Sequence, residues 1–246
     1  MSAKKERLQK VIAQSGLTSR RKAEQLILDG KVKVNQQLVT ELGVKVSPND
    51  EITVNEIPLE KERHVYYLLY KPRQYITARS DDRGRKTVID LMSEVEERIY
   101  PVGRLDYHSS GILIMTNDGD FAHRLMHPRY GISKQYIVKV NGIIQRETLQ
   151  KIVSGVDADG ELLKVSGYKV NDIDRKKRHM IIQITLHEGR NRHIRRLFQA
   201  LGYPVTKLKR EKYAFLTLDN LQPGEYRPLT RQEVHQLIDL TYRQKR

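Results

Sequence analysis

Strand-like segments outnumber helical ones in the second part of this chain, and their irregular order constrains the fold most. The candidate strands are residues 65–71, 111–116, 134–140, 179–186 and 205–210, and the candidate helices are residues 118–126, 146–153, 192–201 and 230–240. Alternating β-α units would place a helix after every strand. The pattern therefore predicts an α+β domain built on a mostly antiparallel sheet.

A small α/β module precedes this domain. Apolar residues at helical spacing predict two helices, the second capped by Ser19 and ended by Gly30. Alternating polar and apolar residues in 31–35 and 51–54 predict two strands. Residues 55–64 are charged and contain a proline, which is typical of a linker. We therefore expect two domains that meet near residue 60.

The chain carries a large excess of positive charge. Its 246 residues include 45 lysines and arginines against 30 acidic residues, a net charge of +15. Such a surface attracts polyanions, and nucleic acid is the usual partner because neutralised phosphates release counterions. The polar face of the N-terminal module is either an RNA footprint or a solvated basic face. It carries Lys4, Lys5, Arg7, Lys10, Arg20, Arg21, Lys22, Lys31 and Lys33.

Several classes of protein are excluded by what the sequence lacks. Without cysteine, neither a disulfide nor a thiolate metal site is possible. No apolar run is long enough to span a bilayer, and the N-terminus lacks the apolar core of a secretory signal. Phosphate-binding and dinucleotide-binding glycine motifs are absent. We therefore expect a cytoplasmic protein with no membrane partner, no metal and no cofactor.

A loop between two glycines holds the strongest candidate for catalysis. The run Gly-Arg-Leu-Asp ends at Asp106 and continues through Tyr-His-Ser-Ser to Gly111, after which residues 112–115 are apolar. A carboxylate with a glycine on either side and a strand after it is presented at the mouth of a cleft rather than on a helix face. Asp106 is therefore a candidate catalytic group.

Two other patterns suggest different chemistry and are weaker. His108 beside Ser109 suggests a serine hydrolase, but neighbours in an extended segment point apart and no nucleophile elbow is present. His123 and His127 have the spacing of two zinc ligands, but Arg124 stands where a zinc protease has glutamate. A structural role at a helix end is the better interpretation of these histidines.

The segment 188–197 is a second candidate for the site. A helix beginning at Arg192 would place Arg192, Arg195 and Arg196 on one face. The glycine and asparagine before it would break the preceding strand and project the start of the helix into the cleft. A guanidinium there can orient an ionised carboxylate or bind phosphate.

Tyr136 stands near the start of a candidate strand, in the run Lys-Gln-Tyr. Its ring could stack on an unstacked base, and its hydroxyl could take part in proton transfer. It could equally be one more core aromatic among 13 tyrosines. The residue alone does not decide between these roles.

Taken in order, these motifs resemble those of the RNA pseudouridine synthases, specifically the RsuA/RluB branch. The matching runs are Leu-Tyr-Lys-Pro at 69–72, Pro-Val-Gly-Arg-Leu-Asp at 101–106, Leu-Met-His-Pro at 125–128, Lys-Gln-Tyr at 134–136, Glu-Gly-Arg-Asn-Arg at 188–192 and Lys-Leu-Lys-Arg at 207–210. The first quarter of the chain resembles an S4-type RNA-binding domain. The resemblance covers nearly the whole sequence.

The resemblance implies an enzyme that isomerises one uridine of folded RNA to pseudouridine without a cofactor. It implies that Asp106 is the essential residue, that Tyr136 contacts the base, and that Arg195 pairs with Asp106. Arg192 and Arg196 are alternatives for that pairing. RNA contacts are expected from Arg7, Lys10, Arg20, Arg21, Lys22, Lys31, Arg104, Arg192 and Arg196.

Within this family the resemblance is greatest to enzymes that act on large-subunit ribosomal RNA. Small-subunit ribosomal RNA is the alternative substrate, and a non-catalytic RNA-binding or ribosome assembly factor is the alternative function. We therefore expect an S4-like domain at residues 1–60, a catalytic domain at 61–241 and a basic tail at 242–246. We expect a monomer.

Overall fold

The computed structural model describes residues 5–243, so Lys4 of the predicted basic face lies outside the described residues. The chain divides into two compact units. One holds the residues up to Val65 with the short segments Val95–Ile99 and Asn117–Gly119. The other holds Tyr66–Glu94, Tyr100–Thr116 and the residues from Asp120 onward. The domain limits 1–60 and 61–241 stay predictions.

The first unit packs two helices against short strands. Its elements are β1 (Glu6–Arg7), α1 (Leu8–Gln14), α2 (Arg20–Leu28), β2 (Val32–Val34), β3 (Gln37–Val39), β4 (Lys45–Val46), β5 (Ile52–Val54) and β6 (Ile57–Pro58). The strands pair in the order β3-β2-β5-β6, and β1 pairs with β4. Leu8, Ile12 and Ile27 bury the inner faces of the helices against the strands. The Ser19 side chain caps α2 by accepting a hydrogen bond from the Lys22 N–H.

The second unit is built on one large sheet. Its elements are β7 (Tyr66–Lys71), β8 (Tyr100–Val102), β9 (Ser109–Thr116), α3 (Gly119–Met126), a 3₁₀ turn (Pro128–Tyr130), β10 (Lys134–Asn141), α4 (Arg146–Ser154), β11 (Val156–Ala158), β12 (Glu161–Leu163), β13 (Gly167–Asp174), β14 (His179–Leu186), α5 (His193–Ala200), β15 (Val205–Tyr213), β16 (Tyr226–Pro228) and α6 (Arg231–Arg243). Helices α3 and α6 bury Phe121, Leu125 and Leu237 against Ile112 and Ile114 of β9.

The eight strands of this sheet follow the order β13-β14-β10-β15-β9-β7-β16, and β8 pairs with β9. The described pairings are antiparallel except that β9 and β15 run parallel. Strand β14 alternates buried and half-buried residues along its whole length, as expected when one face covers a core. The predicted α+β class with a mostly antiparallel sheet is confirmed.

Some elements have no clear sequence signal. Strand β8 is only three residues long and contains Pro101, and β13 is a largely exposed edge strand, so neither shows regular alternation. Helix α5 begins one residue later than predicted, because Arg192 has a left-handed φ of 49°. Helix α6 continues to Arg243, so the predicted tail 242–246 begins inside a helix, and residues 244–246 lie outside the described residues. Within residues 5–243, no helix is both long enough and apolar enough to cross a membrane.

Gly111 allows β9 and β15 to lie side by side. Its φ is +117°, a conformation that residues with a side chain rarely adopt. A Cβ at this position would lie 2.2 Å from the Arg210 carbonyl oxygen. Because that oxygen belongs to the backbone of β15, no rotation of a side chain relieves the clash.

Gly111→Ala is expected to lower the free energy of unfolding by at least about 2 kcal/mol, through backbone strain and a weakened β9–β15 pairing. Denaturant unfolding measures the change. Gly167→Ala, on the edge strand β13, is the matched control, since nothing lies within 4 Å of a Cβ added there. Equal losses in the two variants would contradict this role of Gly111.

Candidate active site

A cleft with a cavity volume of about 290 Å³ opens in the second unit. Its walls come from the loop between β8 and β9, the start of β10, the segment leading into α5, and the second half of β15. Four residues predicted from the sequence line it: Arg104, Asp106, Tyr136 and Arg192. Residues more than 80 positions apart along the chain therefore meet in one cleft.

Asp106 lies in the loop between β8 and β9, and several hydrogen bonds fix that loop. Leu105 is buried, and its carbonyl accepts a 2.6 Å hydrogen bond from the Thr77 hydroxyl. The Ser109 N–H donates to the Asp106 carbonyl at 2.9 Å. The Asp106 side chain keeps 29% of its surface exposed. The backbone is thus held while the carboxylate remains accessible from the cleft.

Arg195, in the first turn of α5, reaches the same loop. Its Nε lies 3.7 Å from Asp106 Oδ2. One terminal nitrogen donates to the Val205 carbonyl at 3.1 Å, and the other donates to the His108 carbonyl at 3.2 Å and to Ser109 Oγ at 3.4 Å. Burial lowers the pKa of Arg195, and the charge of Asp106 opposes that effect. Three hydrogen bonds therefore hold the guanidinium while its Nε faces the carboxylate.

The other two arginines of this segment occupy different places. Arg192 is exposed at the start of α5 and lines the cleft. Arg196 turns towards the β11–β12 hairpin, where it bonds Glu161 Oε2 at 2.6 Å and the Ala158 carbonyl at 2.7 Å. Of the three arginines, Arg195 is the one beside Asp106. The RNA contacts predicted for Arg192 and Arg196 stay predictions.

Lys71, at the end of β7, is a part of the site that we did not predict from the sequence. Its side chain is completely buried, and Nζ donates to the carbonyls of Pro72 at 2.9 Å, Ser109 at 2.9 Å and Asp106 at 3.3 Å. Burial lowers the pKa of Lys71 to about 8, although Asp106 acts in the opposite direction. Hydrogen bonds from this lysine thus connect the end of β7 to both ends of the turn that carries Asp106.

Tyr136 forms part of the cleft wall on β10 and is 8% exposed. Its neighbour across the sheet on β15 is Arg210, and its neighbour two positions back along β10 is Lys134. Both cations line the cleft with it, as does Tyr213, which pairs with Lys134. A flat ligand that stacks on Tyr136 would therefore lie beside two cations.

The predicted RNA-binding residues of the first unit lie near its surface. The exposed ones are Arg7, Arg20, Arg21, Lys22 and Lys31. Lys10 is half-buried and forms an ion pair with Glu6 at 2.5 Å. Lys31 Nζ lies 4.0 Å from Asp29 Oδ2. Arg20, Arg21 and Lys22 thus form a run of exposed cations at the first turn of α2.

Lys71→Met is expected to lower the free energy of unfolding at pH 7 by about 2–4 kcal/mol, because three carbonyl groups lose a charged donor in the interior. Lys139→Met, on the solvent-facing side of β10, is the control.

The pKa of Lys71 falls from 10.5 to about 8 on folding, so the unfolded chain binds more protons than the folded protein does between these two pH values. Lys71 therefore adds stability as the pH rises through that window.

Unfolding measured at several pH values tests this role. The wild type should gain stability relative to Lys71→Met as the pH rises from 8 towards 10.5. A variant as stable as the wild type at pH 7, with the same pH profile, would contradict the proposed tie between Lys71 and the Asp106 loop.

Comparison with known proteins agrees with this geometry. The RNA pseudouridylate synthase family model matches residues 65–200, and the S4 domain model matches residues 6–52. The chain is 54% identical over 232 residues to a protein of Bacillus subtilis named ribosomal large subunit pseudouridine synthase B, and the match covers 94% of this chain and 95% of that one. It is 40% identical to an uncharacterized RNA pseudouridine synthase of Aquifex aeolicus, with 94% and 93% covered.

A solved structure leads to the same family. The crystal structure of a pseudouridylate synthase superposes with a TM-score of 0.65 at 29% identity, covering 94% of this chain and 99% of that one. The order of motifs, the fold and the sequence matches are mutually consistent. The chain therefore belongs to the RNA pseudouridylate synthase family and carries an N-terminal S4 domain.

Proposed function

We propose that this protein converts one uridine of large-subunit ribosomal RNA to pseudouridine, with Asp106 as the essential group. The observation that carries the proposal is the accessible Asp106 carboxylate, fixed in a cleft with the Arg195 guanidinium 3.7 Å away. The choice of substrate rests on the 54% identity to a relative named for the large ribosomal subunit. We further propose that the protein is cytoplasmic and acts as a monomer without a cofactor.

The reaction begins when the target nucleotide leaves its stack. This costs a few kcal/mol, which contacts to the RNA backbone and stacking in the cleft offset. Tyr136 offers the aromatic face for that stacking. Filling the cleft also excludes water, which would otherwise attack the sugar and leave an abasic site.

Asp106 then acts on the ribose, either by attacking C1′ or by removing the proton from C2′. Each route breaks the bond between C1′ and N1. The uracil turns, and C5 bonds to C1′ as Asp106 leaves C1′ or returns the proton to C2′. The proton on C5 is then removed, a step in which the Tyr136 hydroxyl takes part, and N1 takes up a proton. Arg195 orients the carboxylate throughout by its charge and by its fixed position on α5.

The first unit supplies affinity for neighbouring RNA. Its exposed cations are suited to phosphate groups, which position a protein on RNA without selecting a sequence. The proposed contacts are Arg7, Lys10, Arg20, Arg21, Lys22 and Lys31, together with Arg104, Arg192 and Arg196 of the second unit.

Asp106→Asn should abolish the product, with a residual rate below about one thousandth of the wild type, while RNA affinity stays within a few fold. The measurement is pseudouridine mapping by carbodiimide and primer extension on both large ribosomal RNAs, from cells that lack the gene and carry either form. Asp239→Asn, exposed on α6, is the control for removing an acidic charge.

The outcomes separate the candidate functions. Loss of one large-subunit site, restored by the wild type and Asp239→Asn alone, supports the proposal. A lost site in small-subunit RNA would change the substrate. No lost site in either RNA, or a parallel loss of binding in Asp106→Asn, would favour a non-catalytic RNA-binding or assembly factor.

Changing Arg20, Arg21 and Lys22 together to glutamine should weaken RNA binding and reduce the slope of log Kd against log salt by about 2. The reason is that three phosphate contacts, with their released counterions, are lost. The matched control changes Arg146, Lys151 and Arg231, three exposed cations of α4 and α6, and so removes the same net charge. Equal slopes in the two triple variants would overturn the role given to α2.

A further inference from the structure

Two cations in the cleft wall have no role in the mechanism above. Lys134 and Arg210 line the cleft on neighbouring strands, and Tyr136 is next to both on the same face of the sheet. Lys134 precedes Tyr136 by two positions on β10, and Arg210 is its register partner on β15. Within residues 5–243, neither cation pairs with a carboxylate.

In the described part of the chain, the Arg210 guanidinium has a hydrogen-bond partner at Nε but none at Nη2. Arg210 is 3% exposed, and its Nε donates to the Ile112 carbonyl at 2.7 Å, which ties β15 to β9. Its Nη2 is buried and has no hydrogen-bond partner in the described structure. A structural role accounts for Nε and for the guanidinium carbon lying 5.3 Å from the centre of the Tyr213 ring, but it leaves the charged donor Nη2 without an acceptor among the described residues, which is costly in the interior.

The Lys134 ammonium also has more hydrogens to donate than it has hydrogen-bond acceptors within residues 5–243. Its Nζ donates to the Ile132 carbonyl at 2.9 Å and lies 5.3 Å from the centre of the Tyr213 ring. An ammonium group has three hydrogens to donate, and this one uses a single hydrogen for the carbonyl. Burial, aided by the charge of Arg210, lowers the pKa of Lys134 to about 8. The two cations thus stand close together without an anion to balance them.

We propose that Lys134 and Arg210 are catalytic residues that bind the uracil ring against Tyr136 and stabilise the negative charge it carries while detached from the ribose. The inference rests on the proposed function, since it needs a uracil that leaves the sugar. The ligand chemistry is a planar ring whose two carbonyl oxygens share one negative charge.

The bond changes explain why an anion appears. The C1′–N1 bond breaks with both electrons going to N1, which leaves the uracil as a monoanion. C1′ gains electrons in their place by one of two routes. Either an Asp106 oxygen bonds to C1′, or the proton on C2′ passes to Asp106 and the C2′–H electron pair forms a C1′–C2′ double bond. The ring then uses its C5 electron pair to form the C1′–C5 bond, and Asp106 leaves or returns the proton. Loss of the C5 proton and protonation of N1 complete an isomerisation.

Asp106 and Arg195 are engaged with each other and with the protein backbone, so other groups are better placed to stabilise this anion. The carboxylate is itself negative, and the hydrogen bonds of Arg195 are made to the backbone and to Ser109. A donor aimed at developing charge in a site without water is typically worth on the order of 100-fold in rate. The partly unpaired guanidinium of Arg210 and the free hydrogens of Lys134 are donors of this kind, and both residues line the cleft beside Tyr136, on which the base would stack.

A better leaving group tests the proposal. RNA transcribed with 5-fluorouridine presents the same two carbonyl oxygens, but fluorine stabilises the anion within the ring itself. Single-turnover loss of the target nucleotide is measured for uridine RNA and for 5-fluorouridine RNA with the wild type, Lys134→Gln and Arg210→Gln. Each variant should slow the uridine reaction on the order of 100-fold and the 5-fluorouridine reaction much less.

The controls are Lys139→Gln and Lys207→Gln, which lie opposite each other on β10 and β15. Their side chains are on the sheet face away from the cleft, and both reactions should keep the wild-type rates. If Arg210→Gln does not fold, Lys134→Gln decides the result alone.

Equal slowing of the two substrates would show that the cations only maintain the structure, and unchanged rates would show that they do not contact the base. Weakened RNA binding with an unchanged rate would assign them to a phosphate. Each of these results overturns the inference. A wild type that forms no pseudouridine would refute the proposed function instead, before the variants are compared.

Discussion

The parallel pairing of β9 with β15 is the constraint on which the site depends. Two parallel strands begin at the same edge of a sheet. The segment that carries Asp106 leads into β9, and the helix that carries Arg195 leads into β15. Arg195 bonds the carbonyls of Val205, the first residue of β15, and of His108, the residue before β9. The carboxylate and the guanidinium therefore meet because the strands that follow them begin at the same edge of the sheet.

The same pairing also determines the rest of the cleft. Strand β15 joins β10 on its other side, and the register sets Arg210 opposite Tyr136. Strands β9 and β15 can lie side by side only because Gly111 of β9 leaves room for the backbone at Arg210 of β15. One position without a side chain thus allows the strand that follows the Asp106 loop to lie beside the strand that pairs with Tyr136.

The sequence predicts the central residues of the site but not what holds them. Asp106 and Tyr136 belong to short local motifs, so their presence in the cleft could be predicted. Lys71 could not, because a lysine at the end of a strand usually points to solvent. Its acceptors Asp106 and Ser109 lie 35 and 38 residues further along, and nothing near Lys71 in the sequence indicates that they will surround it.

The choice among the three arginines shows the same limit. Helical spacing places Arg192, Arg195 and Arg196 on nearly one face, so the sequence left all three open. The structure separates them through two features of tertiary origin, the left-handed backbone at Arg192 and the β11–β12 hairpin that receives Arg196 through Glu161. Short hairpins of this kind have too few residues to show a period.

The same hairpin region also explains why the position of Arg195 is fixed. It holds α5 from the far side, where Arg196 bonds Glu161 and the His193 ring bonds the Lys164 carbonyl at 2.9 Å. On the near side Arg195 bonds the backbone where both parallel strands begin, at Val205 and at His108. A helix held on two sides cannot rotate to satisfy one partner without losing the other. The orientation of the guanidinium is therefore set by the fold itself, which is the preorganisation that its proposed role, orienting Asp106, requires.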